Sequence, residues 1–211
     1  MKLARSTAKI FVPDGLPVAG ALARTTSMCI AAHHDDIEIM APHAILECFG
    51  APKKWFMGVV VTNGAGSPRA DLYARFTDKQ MQAVRREEQR KAAIVGEFGA
   101  LAMLDHPSSA VKRPRAKDVR EDLCTLILAA KPEVVIGHNL ADKHDTHVAL
   151  ALRTIEALRA LPRRARPRKF YGGEVWRDLD WMPDDDKVRW DVSARENIQA
   201  ALLGVFDSQI S

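Results

Sequence analysis

Two short stretches hold five of the seven histidines in this sequence, each beside carboxylates. "AHHDDIE", residues 32–38, sets His33, His34, Asp35 and Asp36 side by side. "HNLADKHDTH", residues 138–147, holds His138, Asp142, His144, Asp145 and His147. Imidazoles mixed with carboxylates suit zinc, and three protein ligands with a fourth position open mark a catalytic site rather than a structural one. Taken singly, each residue has a plainer explanation. Asp36 would cap a helix by accepting from its free N–H groups, and an isolated His33 or His147 would be a structural imidazole. The metal reading rests on the two clusters together.

The elements around the clusters indicate how they can meet. "SMCIAA" (27–32) reads as a buried strand, and Ile37, Met40, Ala41, Ala44, Ile45, Cys48 and Phe49 then recur at helical spacing. Pro42 interrupts that pattern, so the helix starts late or bends there. Further strands are expected at "WFMGVVVT" (55–62), "ALAML" (100–104), "EVVIGH" (133–138) and "KFYGGEVW" (169–176). Helices are expected from Asp78 to about Phe98 and over 116–130, 146–161 and 193–205. Apolar strands alternating with helices imply an α/β fold, a mostly parallel Rossmann-like sheet with helices on both faces. Such sheets bind ligands at the carboxyl ends of their strands, and both clusters follow strands. His33 closes the first strand, with Asp36 at or near the cap of the next helix, so one tight turn can aim both at a point. Asp35 lies between them, free to act as a base. His144 precedes the helix after the fourth strand and His147 stands in its first turn. If the two strands are neighbours, the clusters meet. A dinucleotide site is disfavoured, because no glycine lies between Ile30 and Phe49 and two carboxylates would repel a phosphate.

Composition sets the wider bounds. The chain has 211 residues, 47% hydrophobic and 27% charged, and reads as a single domain over 1–211. No apolar run approaches the roughly 18 residues of a membrane span, and the N-terminus lacks the apolar core of a secretion signal. Cys29, Cys48 and Cys124 show no CxxC spacing and sit in apolar segments, so reduced, buried thiols and a cytoplasmic location are expected. The net charge of +4 includes a basic run, "LPRRARPRK", with Arg163, Arg164, Arg166, Arg168 and Lys169. Its two prolines and lack of interleaved aromatics fit a solvated loop, so neither nucleic acid nor membrane is expected as a partner.

At the residue level, "AHHDDIE" resembles the "AHPDDxE" signature of the LmbE-like, or PIG-L, family of zinc-dependent N-acetylglucosaminyl deacetylases. "HNLADKHDTH" is similar to that family's D-x-H-x-D-H stretch. Weaker likenesses are "TNGAGSPR" to a Gly-rich loop, "VRREEQRKAA" to an R-x-x-E helix, and "EVWRDLDW" and "FDSQI" to later segments; together they cover most of the chain. The resemblance implies a Rossmann-like fold with zinc held by His33, Asp36 and His147. It makes Asp35 the general base and His144 the group that steadies the oxyanion or protonates the leaving amine. Zinc would polarise an amide carbonyl and lower the pKa of a water toward about 7. The implied substrate is a small N-acylated, most simply N-acetylated, amino sugar or sugar conjugate, and relatives often form multimers.

Three departures stand out. His34 replaces the family's proline, as a supporting side chain or an extra donor. Thr146 replaces an aspartate beside the ligand histidine, leaving Asp142 or Asp145 to support His144. The chain ends soon after "DSQI", where relatives often continue, so a truncated pocket rim is one expectation. Arg69, in the Gly-rich loop, is a candidate for binding a sugar hydroxyl or an anionic group, or else an exposed loop residue. Glu38 would support the turn, and Arg85 and Glu88, spaced i,i+3, would form an ion pair. Trp176 and Trp181 would line a substrate wall or pack in an interface, and Met81 and Met103 fall at core-like positions. Two rival readings stay open: a metal-dependent hydratase of the same family, and a metal- or partner-binding protein without catalysis. The donor set also accepts divalent ions other than zinc.

Overall fold

The computed structural model describes residues 1–209. Six strands form one sheet: β1 (Lys9–Phe11), β2 (Ser27–Ala31), β3 (Phe56–Thr62), β4 (Ala100–His106), β5 (Val134–His138) and β6 (Lys169–Gly173), in the order β1-β4-β3-β2-β5-β6. All neighbours are parallel except β1, which runs antiparallel to β4 at the edge. Every residue of β2, β3 and β4 is buried, as expected of strands covered on both faces. β2 and β5 pair in register from Ser27 with Val134 to Ile30 with Gly137. The chain moves one way across the sheet from β2 through β3 to β4, then returns to add β5 on β2's other side. The strand order therefore reverses between β2 and β5, where doubly wound sheets open a crevice.

The helices pack as two layers. Met28 and Ile30 of β2 join the core cluster that includes residues of α1 (Val18–Ala23), α6 (Lys117–Ala130) and α7 (Asp145–Ala160). Cys29 and Ala31 point the other way, into the cluster with α2 (Asp36–Met40), α3 (Pro42–Cys48), α4 (Asp78–Val95) and α8 (Glu196–Gly204). This is the period-two alternation of a strand, buried on both sides.

The single helix expected after β2 is two. Ala41 leaves the helical region at φ −125°, and Pro42 opens α3 at its first position, since the residue before a proline is pushed out of the α region. α4 starts at Thr77 in a reciprocal capping box with Gln80 and stops at Val95, short of Phe98. β4 runs two residues beyond "ALAML", to His106. β1, α1 and a one-turn α5 (Ser108–Lys112) had no clear sequence signal, being only three to six residues long. Cys29 and Cys48 are buried free thiols, whereas Cys124 is half-buried rather than buried. Among the described residues, no helix is long and apolar enough to cross a membrane.

Gly58 lets α2 sit close to the sheet. A Cβ there would lie 2.9 Å from Ile37 Cδ1 and 3.1 Å from Phe98 Cε2. Gly58→Ala should therefore destabilise the fold by about 1–3 kcal/mol through overpacking, read as a lowered thermal midpoint.

Candidate active site

The two sequence clusters meet at the β2–β5 crevice. His33 lies in the turn after β2, Asp36 is the first residue of α2, and His147 stands in the first turn of α7. His33 Nδ1 is 3.1 Å from His147 Nε2 and 3.3 Å from Asp36 Oδ2, and His147 Nε2 is 3.4 Å from the same oxygen. Three atoms that carry lone pairs thus converge, an arrangement that a proton or a cation must satisfy. Ligands about 2.0–2.1 Å from a tetrahedral zinc are about 3.3–3.4 Å apart. The triangle has that size, so these residues fit the metal that the donor set suggests.

Surrounding groups set the protonation of two of the three members, His147 and Asp36. His147 Nδ1 donates to Asp142 Oδ2 at 3.0 Å, which leaves Nε2 with its lone pair directed at the other two atoms, the usual arrangement behind a metal-bound histidine. Burial lowers His147 to about 4, with His138 and His33 adding to the shift against Asp36 and Asp142. Burial would raise Asp36, but the imidazoles of His138 and His33 hold it well below the usual carboxylate range. His138 was not singled out as a site residue, yet it is buried, stacks on His147 at 4.0 Å and sits 3.3 Å from Asp36 Oδ2. Its Nε2 accepts the Ala32 amide at 2.9 Å, tying the two strand ends together. Its presence in the second cluster was the available signal. Asp142, a candidate to steady His144, instead grips His147 through one oxygen and accepts the His144 backbone amide through the other at 2.8 Å. Asp145 is exposed and pairs with Lys112 at 2.9 Å.

Asp35 sits beside the triangle with φ +91°, a conformation that costs a non-glycine residue about 1–3 kcal/mol. The Gln89 side chain accepts its amide at 3.2 Å, and Arg85 Nη2 lies 3.0 Å from its carboxylate. Burial raises Asp35 to about 6 in spite of Arg85, with Asp36 pushing the same way. Arg85 and Glu88 do pair, at 2.8 Å, but in the interior rather than on a helix surface. Arg85 Nη2 also donates to the His34 carbonyl, and Glu88 accepts the Ser208 amide at 2.7 Å and its hydroxyl at 2.8 Å. The terminal "FDSQI" segment is thus built into the support of Asp35; Ile210 lies outside the described residues. Gly64, at φ +73°, passes so close that a Cβ would sit 3.2 Å from Arg85 Cβ and from His34 Nδ1. His34 is itself buried, and burial with Arg85 beside it depresses its pKa well below the usual value. Glu38 supports the turn by accepting from Gln89 at 2.7 Å.

A cavity of about 500 Å³ opens onto this turn, lined by His33, Asp35, Asp36, His144, Lys112 and Trp176 among others. His144 caps α7: its Nδ1 accepts the Thr146 amide at 3.3 Å, so its proton sits on Nε2, an available donor. Arg69 is not brought to the cavity lining. Its guanidinium bonds to Asp78 and to the Ala65 carbonyl, and Lys112 is the lysine that lines the wall. Trp181 borders a separate cavity between α3 and the 178–192 segment.

Residues 28–158 match the family described as PIG-L: GlcNAc-PI de-N-acetylase, and the chain belongs to that family. No curated protein sequence matches the chain. Among solved structures, it is similar to the N,N'-diacetylchitobiose deacetylase of Pyrococcus horikoshii, with TM-score 0.70 and 17% identity over 90% of this chain and 72% of that one. A deacetylase of the teicoplanin biosynthesis pathway gives 0.65 and 13%, covering 87% and 84%. The 4-carboxy-2-hydroxymuconate hydratase of Pseudomonas putida KT2440 gives 0.63 and 19%, covering 87% and 80%.

Two measurements follow from this geometry. Asp142→Ala should cost about 10- to 100-fold in zinc affinity, measured against a competing chelator, by freeing the His147 ring. Arg85→Met should destabilise the protein by about 3–5 kcal/mol in denaturant unfolding, because Glu88 would stay buried without its cation; Arg85→Met combined with Glu88→Leu should lose less.

Proposed function

We propose that this protein is a zinc-dependent amidohydrolase that removes an N-acyl, most simply N-acetyl, group from a small amino sugar or sugar conjugate. The observation that carries this reading is the convergence of His33, Asp36 and His147 within 3.4 Å of one another, with Asp35 alongside. A divalent cation held there supplies polarisation of the amide carbonyl and acidification of a neighbouring water. The chain's residues divide the remaining work. Asp35, carrying a raised proton affinity, takes the proton from the attacking water; such a placed base is typically worth about 10²- to 10⁴-fold. His144 Nε2–H faces the developing oxyanion, or gives its proton to the departing nitrogen. One water adds, the C–N bond breaks, and a carboxylic acid and an amine leave. The acylated sugar as substrate is supported by the family's description and by the diacetylchitobiose deacetylase among the similar folds. A cytoplasmic setting is supported by three free thiols.

The same fold carries a hydratase, so architecture alone does not select the reaction. Turnover does. Purified protein should contain about one zinc per chain by elemental analysis and release acetate from an N-acetylated sugar. His33→Ala should lose the metal. Asp35→Asn should keep it and lose at least about 10²-fold in kcat; full activity in Asp35→Asn would sink the mechanism, and addition of water to an enol acid without acetate release would favour the hydratase.

A further inference from the structure

Polar side chains recur around the cavity: Ser67, Ser108, Lys112, Asp145 and Gln209 all border it. One lining side chain is a large aromatic. Trp176 lines the cavity and is 55% exposed, a large bare area for a side chain whose contribution to stability comes from burial. The other tryptophans are engaged elsewhere. Trp55 lies under the Arg24 guanidinium, 3.6 Å from its ring centroid. Trp190 stacks on His43 at 5.1 Å and meets Tyr171 edge-on at 4.9 Å. Trp181 faces the second cavity. Trp176 has Lys143 Nζ 4.6 Å from its ring centroid, within cation–π range. That contact restrains the indole while more than half of the residue stays open.

Resting on the N-deacetylase reading above, we propose that Trp176 is the platform for the substrate's sugar ring and makes the site selective for N-acyl amino sugars in pyranose form over acyclic amides. A pyranose presents a face of C–H bonds and a rim of hydroxyl groups. An exposed indole complements the face, and the serines, Lys112, Asp145 and Gln209 complement the rim. An acylated alkylamine has no such flat face and gains nothing from the ring. Trp176 touches substrate in this assignment and leaves the proton transfers to Asp35 and His144.

The test uses the full chain supplied with zinc. KM and kcat are measured for methyl N-acetylglucosaminide and for N-acetylethanolamine in wild type, Trp176→Ala, Trp176→Phe and, as a control in the other cavity, Trp181→Ala. Trp176→Ala should raise KM for the sugar by about tenfold with a smaller change in kcat, and its preference for the sugar over the acyclic amide should fall by a similar factor. Trp176→Phe should keep most of that preference, and Trp181→Ala should leave it intact. Titration with the same glycoside should also change the tryptophan fluorescence of wild type and not of Trp176→Phe. An unchanged KM in Trp176→Ala, equal losses on both amides, or a fluorescence response that survives Trp176→Phe would overturn the proposal. If wild type releases no acetate from any N-acetyl sugar, the deacetylase reading falls, and the fluorescence titration decides the platform by itself: a response dependent on Trp176 keeps it, and none ends it.

Discussion

Arg85 is 1% exposed and carries a charge that the interior tolerates only when every neighbour compensates it. Its two terminal nitrogens reach Glu88, Ser208, Asp35 and the carbonyl of His34. Those four partners come from α4, the terminal segment and the turn after β2. One guanidinium therefore joins three parts of the chain at the base of the cavity. The turn needs this anchor, because Asp35 is held at a positive φ that a free loop would relax. Gly64 leaves the room that the anchor occupies, and Gln89, one helical step beyond Glu88, fixes the amide of the same aspartate. A single helix face thus shapes a turn more than fifty residues away in sequence.

On that support, two adjacent carboxylates acquire opposite characters. Asp36 faces imidazoles and stays ionised, whereas Asp35 is raised by burial and by Asp36 itself, against the pull of Arg85. Environments that push neighbouring acids apart are how one site assigns a ligand role and a proton-transfer role to the same residue type. The imidazoles follow the same logic. Asp142 commits His147 to a bare Nε2, and the Thr146 amide commits His144 to a protonated Nε2. Thr146 serves here through its backbone.

The sequence by itself determined the layers of the fold and the residue types gathered at the crevice. Strand and helix periods were plain wherever an element was buried on a continuous face, as in β2, β3, α4 and α7. Each half of the site was also legible, because His33 and Asp36 lie in one turn and His144 and His147 share the start of one helix, so local geometry fixes their directions. Short elements such as β1 and α5 escaped, since a few half-buried residues carry no period. What only the tertiary structure decided was non-local: that β2 and β5 are neighbours, that Asp142 grips His147 instead of steadying His144, that Arg85 is an internal anchor, and that Trp176 and Lys112 line the cavity while Arg69 turns to Asp78. Each of these depends on which distant surfaces are pressed together, and such contacts follow from the packing of the whole core rather than from the spacing of residues along the chain.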